Sequence, residues 1–115
     1  MDEAPLLSVT TERHAGGATI YLEGELDLST ADELRAALDA TRPSAGVFVI
    51  DLAGLEFMDS SGIHLLVSER AAAAANAYEL VIAGANGEVR EAMQVCGVDG
   101  LVGLAPDFGA APTGP

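Results

Sequence analysis

The chain has 115 residues, half of them hydrophobic, which is enough for one compact core and too little for two domains. Its formal net charge of −13 disfavours partners that are polyanions, because the five basic residues, all arginine, are too few and too scattered to bind nucleic acid or an anionic membrane surface. The absence of lysine excludes a Walker A phosphate loop and Schiff-base chemistry, and the single cysteine, Cys96, excludes an intramolecular disulfide and a thiolate metal cluster.

The N-terminal residues lack the features of an export signal. Residues 1–5 show no basic region followed by an apolar run, and no apolar stretch of the sequence reaches the ~18 residues of a membrane-spanning helix. We therefore expect a cytoplasmic protein. An unpaired Cys96 on a predicted helix is more typical of core packing than of reactivity.

Two short alternating segments open the predicted fold. Residues 7–13 alternate apolar and polar side chains, residues 14–17 (His-Ala-Gly-Gly) are typical of a turn, and residues 18–23 alternate again. This pattern predicts an antiparallel hairpin with one covered face. A loop over residues 24–29 is expected to follow.

A helix and a buried strand are predicted next. Thr30 stands three residues before Glu33, the spacing of a capping box, and apolar residues recur behind it at helical intervals until Pro43 ends the helix. Residues 47–52 form a continuous apolar run, which is typical of a central strand buried on both faces. Residues 53–59 are predicted to form a loop.

The second half of the chain alternates helices with strands. A helix is predicted to start near Ser60, and a strand is predicted over residues 78–83. The predicted apolar stripe of that helix comprises Ile63, Leu66, Val67, Ala71 and Ala74. Asn86 is expected to cap a third helix that buries Val89, Met93 and Cys96 and ends at Gly97. Residues 101–104 suit a short last strand.

The resulting order, β-β-α-β-α-β-α-β, predicts a small single-domain α/β protein with one mixed β-sheet and helices packed on it. We assign residues 1–105 to this domain. Residues 106–115 are dominated by Gly, Ala and Pro, and we expect a disordered tail there.

The most informative segment is residues 57–63, Phe-Met-Asp-Ser-Ser-Gly-Ile, at the expected junction of a buried strand and a helix. Helix N-termini expose unpaired N–H groups and carry a partial positive charge, so this position is hospitable to a phosphate. Gly62 would let a partner's backbone approach closely. Local chemistry alone also allows a simpler interpretation, in which Asp59, Ser60 or Ser61 merely caps the helix.

Two motifs together resemble those of the STAS domain of bacterial anti-sigma factor antagonists. They are Gly24-Glu25-Leu26-Asp27 and Met58-Asp59-Ser60-Ser61-Gly62. The similarity runs from about residue 7 to residue 104 and implies a STAS-like fold. It also implies that Ser60 is the phosphorylation site of a transcription regulator that works by partner switching. The partner-binding residues would then be Asp27, Asp59, Ser61, Gly62 and His64.

The resemblance implies a binding module and not an enzyme, with no catalytic residue, cofactor or metal of its own. Unphosphorylated members of the family bind an anti-sigma factor, a serine kinase of the histidine-kinase-like ATPase type, and so release a sigma factor. Phosphorylation of Ser60 would inactivate the protein, and a phosphoserine phosphatase would reset it. No direct contact with nucleic acid or membrane is expected.

Two features depart from the family pattern. His64, one helical turn beyond Ser60, stands where many members have a small residue. It is therefore either an ordinary helix residue or a charge sensor beside the phosphate, because histidine titrates near neutrality. Members also usually end with a long helix, whereas residues 106–115 do not suit one, so one sheet face would be less well covered.

Other protein classes explain these residues less well. A serine hydrolase would need Gly-x-Ser-x-Gly, and Met58 stands at the position of the first glycine. A receiver domain could use Asp51 as its acceptor but requires a lysine that the chain lacks. Two alternatives stay open: a STAS-type scaffold or interaction module in another signalling complex, and an acidic carrier protein, which would be a helical bundle.

Overall fold

The computed structural model describes residues 5–95, which form one mixed β-sheet with helices packed against it. The elements in chain order are β1 (Leu7–His14), β2 (Gly17–Leu26), α1 (Ala31–Thr41), β3 (Gly46–Met58), α2 (Ser60–Ala74), β4 (Tyr78–Ala83) and α3 (Gly87–Val95). The strands lie in the order β1-β2-β3-β4; β1 is antiparallel to β2, whereas β2, β3 and β4 are parallel. The predicted α/β class and mixed sheet are confirmed, and the sheet contradicts the carrier-protein alternative.

The first two strands form the predicted hairpin, with His14 paired to Gly17 across the turn. Gly17 has φ +144°, and a Cβ there would lie 1.9 Å from the carbonyl oxygen of Val47. Only glycine therefore fits where β2 begins beside β3. β2 continues to Leu26, so the predicted loop after the hairpin begins later than expected.

The third strand is central, as predicted, but it is longer than the apolar run that indicated it. Phe48, Val49 and Ile50 are all buried, and because successive side chains of a strand point to opposite faces, both faces are covered here, as predicted. Val47 is only half-buried. Residues 53–58 continue the strand, and the prediction of a loop over them is wrong.

Two irregularities in the pairing of β3 with β2 explain this error. The register shifts once before Leu55 and once after it, and each shift adds a residue to β3. Buried side chains therefore recur three residues apart, at Leu52, Leu55 and Met58, instead of the spacing of two that indicates a strand. Because β4 pairs with β3 only as far as Asp51, the irregular half of β3 extends beyond β4.

The hydrophobic core lies between the sheet and its helices. α1 packs on β1 and β2, α2 packs on β3 and β4, and α3 packs on β3. Ile20, Ile50 and Ile82 form one row across the three parallel strands, and none of them has exposed surface. Burial of each such side chain contributes about 1.5–3 kcal/mol. Leu34 of α1 and Leu66 of α2 belong to the same buried cluster.

The apolar stripe predicted on α2 is only partly right. Ile63 and Leu66 are buried, whereas Ala71 and Ala74 face solvent. The buried surface of the helix instead includes a carboxylate, Glu69. Because Glu69 is charged, the spacing of apolar residues did not predict that it is buried.

Glu69 forms a buried ion pair that links α2 to two other parts of the fold. Only 3 % of the residue is exposed. Its two carboxylate oxygens accept hydrogen bonds from Arg42, from Nε at 2.7 Å and from Nη2 at 2.6 Å. The hydroxyl of Tyr78 donates to the same carboxylate. The residue after α1 and the first residue of β4 are thus both tied to the middle of α2.

Alkaline pH is expected to destabilise the protein through Tyr78. Burial, followed by the hydrogen bond to Glu69, raises the pKa of Tyr78 to about 12 from its usual 10.0. A pKa that is raised in the folded state contributes stability that is complete below the unfolded value and is lost as the pH rises through the folded value. Urea melts should therefore show a loss of about 2 kcal/mol between about pH 9 and pH 12.

The variant Tyr78→Phe provides the control for this titration. It cannot ionise at this position, so its stability should fall less over the same pH interval. It starts from a lower stability at neutral pH, because the Glu69 carboxylate loses one donor. An equal fall in both proteins would show that another group causes the alkaline transition.

Some predictions concern residues outside the described range of 5–95. They are the last strand over residues 101–104, the tail over residues 106–115, and the positions of Cys96 and Gly97. Within residues 5–95, no helix is long and apolar enough to cross a membrane. Over the same residues, no group of three or more His, Cys, Asp or Glu side chains is arranged to hold a metal ion.

Candidate functional site

The two motifs singled out in the sequence lie side by side in the structure. β2 and β3 run parallel and end together, with Leu26 opposite Met58. The backbone N–H of Asp59 donates to the Leu26 carbonyl oxygen at 3.1 Å. The loop after β2 and the start of α2 therefore meet at the carboxyl ends of parallel strands, where ligands and partners commonly bind in α/β proteins.

Asp59 is the residue that caps α2. Its backbone is extended, with φ −106° and ψ −169°, and its Oδ1 accepts a hydrogen bond from the Ser61 N–H at 2.8 Å. Its carbonyl oxygen accepts from the N–H groups of Gly62 and Ile63. Because the cap is supplied by Asp59, the side chain of Ser60 is left exposed on the first residue of the helix.

Gly62 serves packing inside the protein. The residue is buried, and a Cβ there would lie 2.7 Å from side-chain atoms of both Leu26 and Met58. The expectation that Gly62 lets a partner's backbone approach is therefore not supported by its position. The glycine lets α2 approach the ends of β2 and β3 closely. This approach sets the distance between the Ser60 turn and the sheet.

Replacing Gly62 by alanine is expected to destabilise the protein by roughly 1–2 kcal/mol. Overpacking against Leu26 and Met58 costs about 1–3 kcal/mol, and the better helix propensity of alanine offsets up to about 1 kcal/mol of it. Urea denaturation measures the difference. Gly16→Ala is the matched control, because nothing lies within 4 Å of a Cβ built on Gly16. Equal stability of the two variants would show that Gly62 is not tightly packed against Leu26 and Met58.

The Asp27 carboxylate shapes the loop between β2 and α1. Its Oδ1 accepts hydrogen bonds from the Ser29 hydroxyl at 2.7 Å and from the N–H groups of Ser29 and Thr30 at 2.9 and 3.2 Å. These bonds, chiefly that from the Ser29 hydroxyl, hold the pKa of the Asp27 carboxyl below its usual value. Asp27 therefore presents a carboxylate whose position is fixed by its own loop.

The capping box predicted for α1 does not form. The Thr30 hydroxyl donates to the Glu25 carbonyl oxygen at 2.9 Å and accepts from the Asp27 N–H at 2.9 Å. No side-chain hydrogen bond caps α1 from this position. The buried Thr30 instead ties the start of α1 to the end of β2. The loop directs Leu28 outward, with 79 % of its surface exposed, a feature that the sequence analysis did not single out.

Two grooves flank the exposed turn at Ser60. One has a volume of about 490 Å³ and is lined by Leu28, Ala31, Asp32, Arg35, Ser61, His64, Leu65 and Ser68, so it lies between α1 and α2. The other has a volume of about 310 Å³ and is lined by Met58, Asp59, Ser60, Ile63, Glu88, Glu91 and Ala92, so it lies between α2 and α3.

The two grooves differ in charge. The groove between α2 and α3 is lined by the carboxylates of Asp59, Glu88 and Glu91, and no basic side chain is among its lining residues. The groove between α1 and α2 contains Arg35 and His64 beside a single acidic residue, Asp32. The contribution of α3 could not be foreseen from sequence spacing, because it depends on how that helix packs against β3.

The Ser60 hydroxyl is accessible but not activated as a nucleophile. In the described part of the chain, none of the side-chain hydrogen bonds involves it, and the neighbouring Asp59 carboxylate is bonded to the Ser61 N–H. A serine hydroxyl without an adjacent base is unreactive near neutral pH. The geometry therefore suits an acceptor that another enzyme modifies.

The structure places the sequence-predicted site residues at one end of the sheet, at different depths. Ser60 and His64 are exposed on α2. Asp27, Asp59 and Ser61 are half-buried and take part in the hydrogen bonds of the loop or the helix cap.

The sequence of this chain is similar to those of known STAS-domain proteins. A family model described as "Mlab, STAS domain" matches residues 9–103. An anti-sigma F factor antagonist from Paenibacillus polymyxa is 29 % identical over 94 residues, which cover 80 % of each chain. The anti-sigma-F factor antagonist RsfB from Mycobacterium tuberculosis is 38 % identical over 65 residues, which cover 54 % of this chain and 52 % of RsfB.

Solved structures show the same architecture. An anti-sigma factor antagonist from Mycobacterium paratuberculosis superposes with a TM-score of 0.76 at 26 % identity, covering 94 % of this chain and 92 % of that chain. The anti-sigma factor antagonist SpoIIAA in its unphosphorylated form gives a TM-score of 0.69 at 22 % identity, covering 90 % of this chain and 93 % of that chain, a likeness of fold.

Proposed function

The chain belongs to the STAS domain family, and from that premise we propose that it is an anti-sigma factor antagonist that phosphorylation of Ser60 switches off. Unphosphorylated, it binds an anti-sigma factor and so releases a sigma factor. The observation that carries this proposal is the exposed Ser60 hydroxyl on the first residue of α2, directly after the Asp59 cap and next to the loop of Asp27. The curated relatives that match four fifths of the chain are named as such antagonists.

The proposed phosphoryl transfer is performed by the partner, a serine kinase. The Ser60 oxygen attacks the γ-phosphorus of ATP held by the kinase; the new O–P bond forms, the bond to ADP breaks, and the hydroxyl proton passes to the kinase's base. This chain contributes an accessible hydroxyl in a fixed position. A phosphoserine phosphatase hydrolyses the ester and restores the binding form.

The charge of the phosphate explains the loss of binding. Phosphorylation adds about −1.5 to −2 charges and three acceptor oxygens. At Ser60 these add to a groove already lined by Asp59, Glu88 and Glu91. A partner surface that accommodates a neutral hydroxyl would have to desolvate the phosphate or face its charge, so the complex weakens.

The proposed partner-binding surface comprises the exposed side of the Ser60 turn and the loop beside it. Ser61 and His64 line the groove between α1 and α2 together with Leu28. Leu28 is 79 % exposed, and a large apolar side chain that borders a groove beside the modification site is suited to a protein contact. Asp27 fixes the loop that presents it.

Incubation with the cognate kinase and ATP is expected to add one phosphate, which peptide mass spectrometry should locate on Ser60. Ser60→Ala should not be modified. Ser61→Ala is the matched control and should still accept the phosphate, because its substitution leaves the Ser60 hydroxyl in place. Phosphate on Ser61 with Ser60 unmodified would contradict the residue assignment, and no phosphate on either serine would contradict the switch.

A further inference from the structure

We propose that His64 is the counter-cation of phosphorylated Ser60 and holds the phosphate towards the groove between α1 and α2. The inference rests on the proposed phosphorylation of Ser60 and describes how the modified site is ordered. Ser60 and His64 lie four residues apart on α2, and both are exposed. Residues at this spacing on a helix have Cβ atoms about 5–6 Å apart and interact directly.

Helix geometry directs His64 towards Ser60. The Cα–Cβ bonds of an α-helix tilt towards its N-terminus, so a side chain covers the turn that precedes its own Cα. For His64, that turn is the one that begins at Ser60. Three phosphate oxygens on Ser60 would therefore lie within reach of an imidazole that already leans in their direction.

The charges around Ser60 favour the same side. Asp59, Glu88 and Glu91 line the groove between α2 and α3 and repel a phosphate from it. The groove between α1 and α2 is lined by Arg35 and His64 and by one acidic residue, Asp32, against three acidic residues in the other groove. A phosphate on Ser60 therefore gains free energy by turning away from α3 and towards His64.

The remaining charged groups near His64 are already paired or bonded. Asp32 and Arg35, which face the groove from α1, form an exposed ion pair with each other at 3.7 Å. Asp27, in the loop before α1, has its carboxylate bonded to Ser29. The two basic residues that line these grooves are Arg35 and His64. Arg35 lies on α1 and is paired with Asp32, whereas His64 lies on the same helix as Ser60 and forms no ion pair among the described residues.

The proposed pair has a consequence for the switch. A phosphate held by His64 covers the groove that Leu28 borders, so modification closes this surface as well as adding charge to it.

The test uses protein that carries phosphoserine at position 60, incorporated during translation, so that no kinase is involved. A phosphorus-31 NMR titration follows the second ionisation of the phosphate, which lies near pH 6 in phosphoserine. A neighbouring cation favours the dianion and lowers the midpoint. We expect the midpoint in the otherwise unchanged protein to lie roughly 0.2–0.4 pH unit below that of His64→Gln, which is the energy of an i,i+4 ion pair expressed in pH units.

Two further variants test whether the lower midpoint comes from a cation at position 64 or from a change elsewhere in the protein. His64→Lys is expected to keep the lower midpoint, because it restores a cation at the same place. His14→Gln is the matched control and should leave the midpoint unchanged, since His14 pairs with Gly17 at the end of the sheet opposite the site. Equal midpoints with and without His64, or loss of the shift in His64→Lys, would overturn the proposal. Failure of a kinase to modify Ser60 would overturn only the proposed function.

Discussion

Replacing Ser60 by glutamate is expected to lower the affinity for the anti-sigma factor by roughly ten- to a hundredfold. Glutamate brings a single charge, about half of what a phosphate brings, so the loss is partial. A charge that faces a like charge, or that is buried without a partner at an interface, lowers the binding free energy by up to several kcal/mol. Each factor of ten in Kd corresponds to about 1.4 kcal/mol. Most of the loss should appear in the dissociation rate. Calorimetric titration and binding kinetics measure both quantities.

Two variants control for this change. Ser60→Ala removes only the hydroxyl, so it should bind as the wild type does and become insensitive to ATP. Ser44→Glu adds the same charge at an exposed position just before β3, at the end of the sheet opposite the site, and should leave binding unchanged. If Ser60→Glu binds as tightly as Ser60→Ala, electrostatic exclusion at this position is not the mechanism.

The stability of Ser60→Glu separates loss of binding from loss of folding. A negative charge at a helix N-terminus gains about 0.3–1 kcal/mol. The carboxylates of Asp59, Glu88 and Glu91 in the adjacent groove oppose that gain. The free energy of unfolding should therefore stay within about 0.5 kcal/mol of the wild-type value in urea melts.

Periodicity alone predicted most elements of the fold. The hairpin, the three helices and the strand Tyr78–Ala83 were each predicted from the local sequence, although the capping box expected at Thr30 does not form. The end of β3 was missed because its two register shifts change the spacing of buried residues from two to three. Such shifts depend on the partner strand, so the pattern of one strand does not reveal them.

The place of the candidate site could also be predicted, but the roles of several residues could not. The strand-to-helix junction at Ser60 was predicted from the sequence, whereas the position of the Asp27 loop beside it follows from the parallel pairing of β2 with β3 in the structure. Asp59, Ser60 and Ser61 were equal candidates for the helix cap, and only the hydrogen bond of Asp59 to the Ser61 N–H distinguishes them. Gly62 was assigned to a partner, whereas its neighbours are Leu26 and Met58 of the same chain.

The position of the Ser60 hydroxyl depends on the packing beneath it. The Ser60 turn sits on the sheet at a depth set by the contact of Gly62 with the ends of β2 and β3. Farther along the same helix, Glu69 fixes α2 to Arg42 and Tyr78. The exposed hydroxyl therefore belongs to a helix that is anchored at both its start and its middle, so its position relative to both grooves is fixed before a partner binds.

The largest effect on stability is expected from Glu69→Ala, at about 3 kcal/mol. Removing one member of a buried ion pair costs about 3–5 kcal/mol, because the other charge is left without compensation. The Arg42 side chain is 30 % exposed and can recover part of its hydration, which places the expected cost at the lower end of that range. Tyr78 also loses its acceptor. Urea denaturation at neutral pH measures the change.

Asp32→Ala is the matched control for Glu69→Ala, because it removes a carboxylate that faces arginine at the surface. The side chains of Arg35 and Asp32 are 61 % and 96 % exposed, and such pairs contribute about 0–1 kcal/mol. Replacing the buried group as a whole, with Arg42→Met, Glu69→Leu and Tyr78→Phe together, should restore much of the lost stability, since no charge is then left unpaired. A loss in Glu69→Ala no larger than in Asp32→Ala would show that the folded protein in solution does not hold Glu69 in this buried pair.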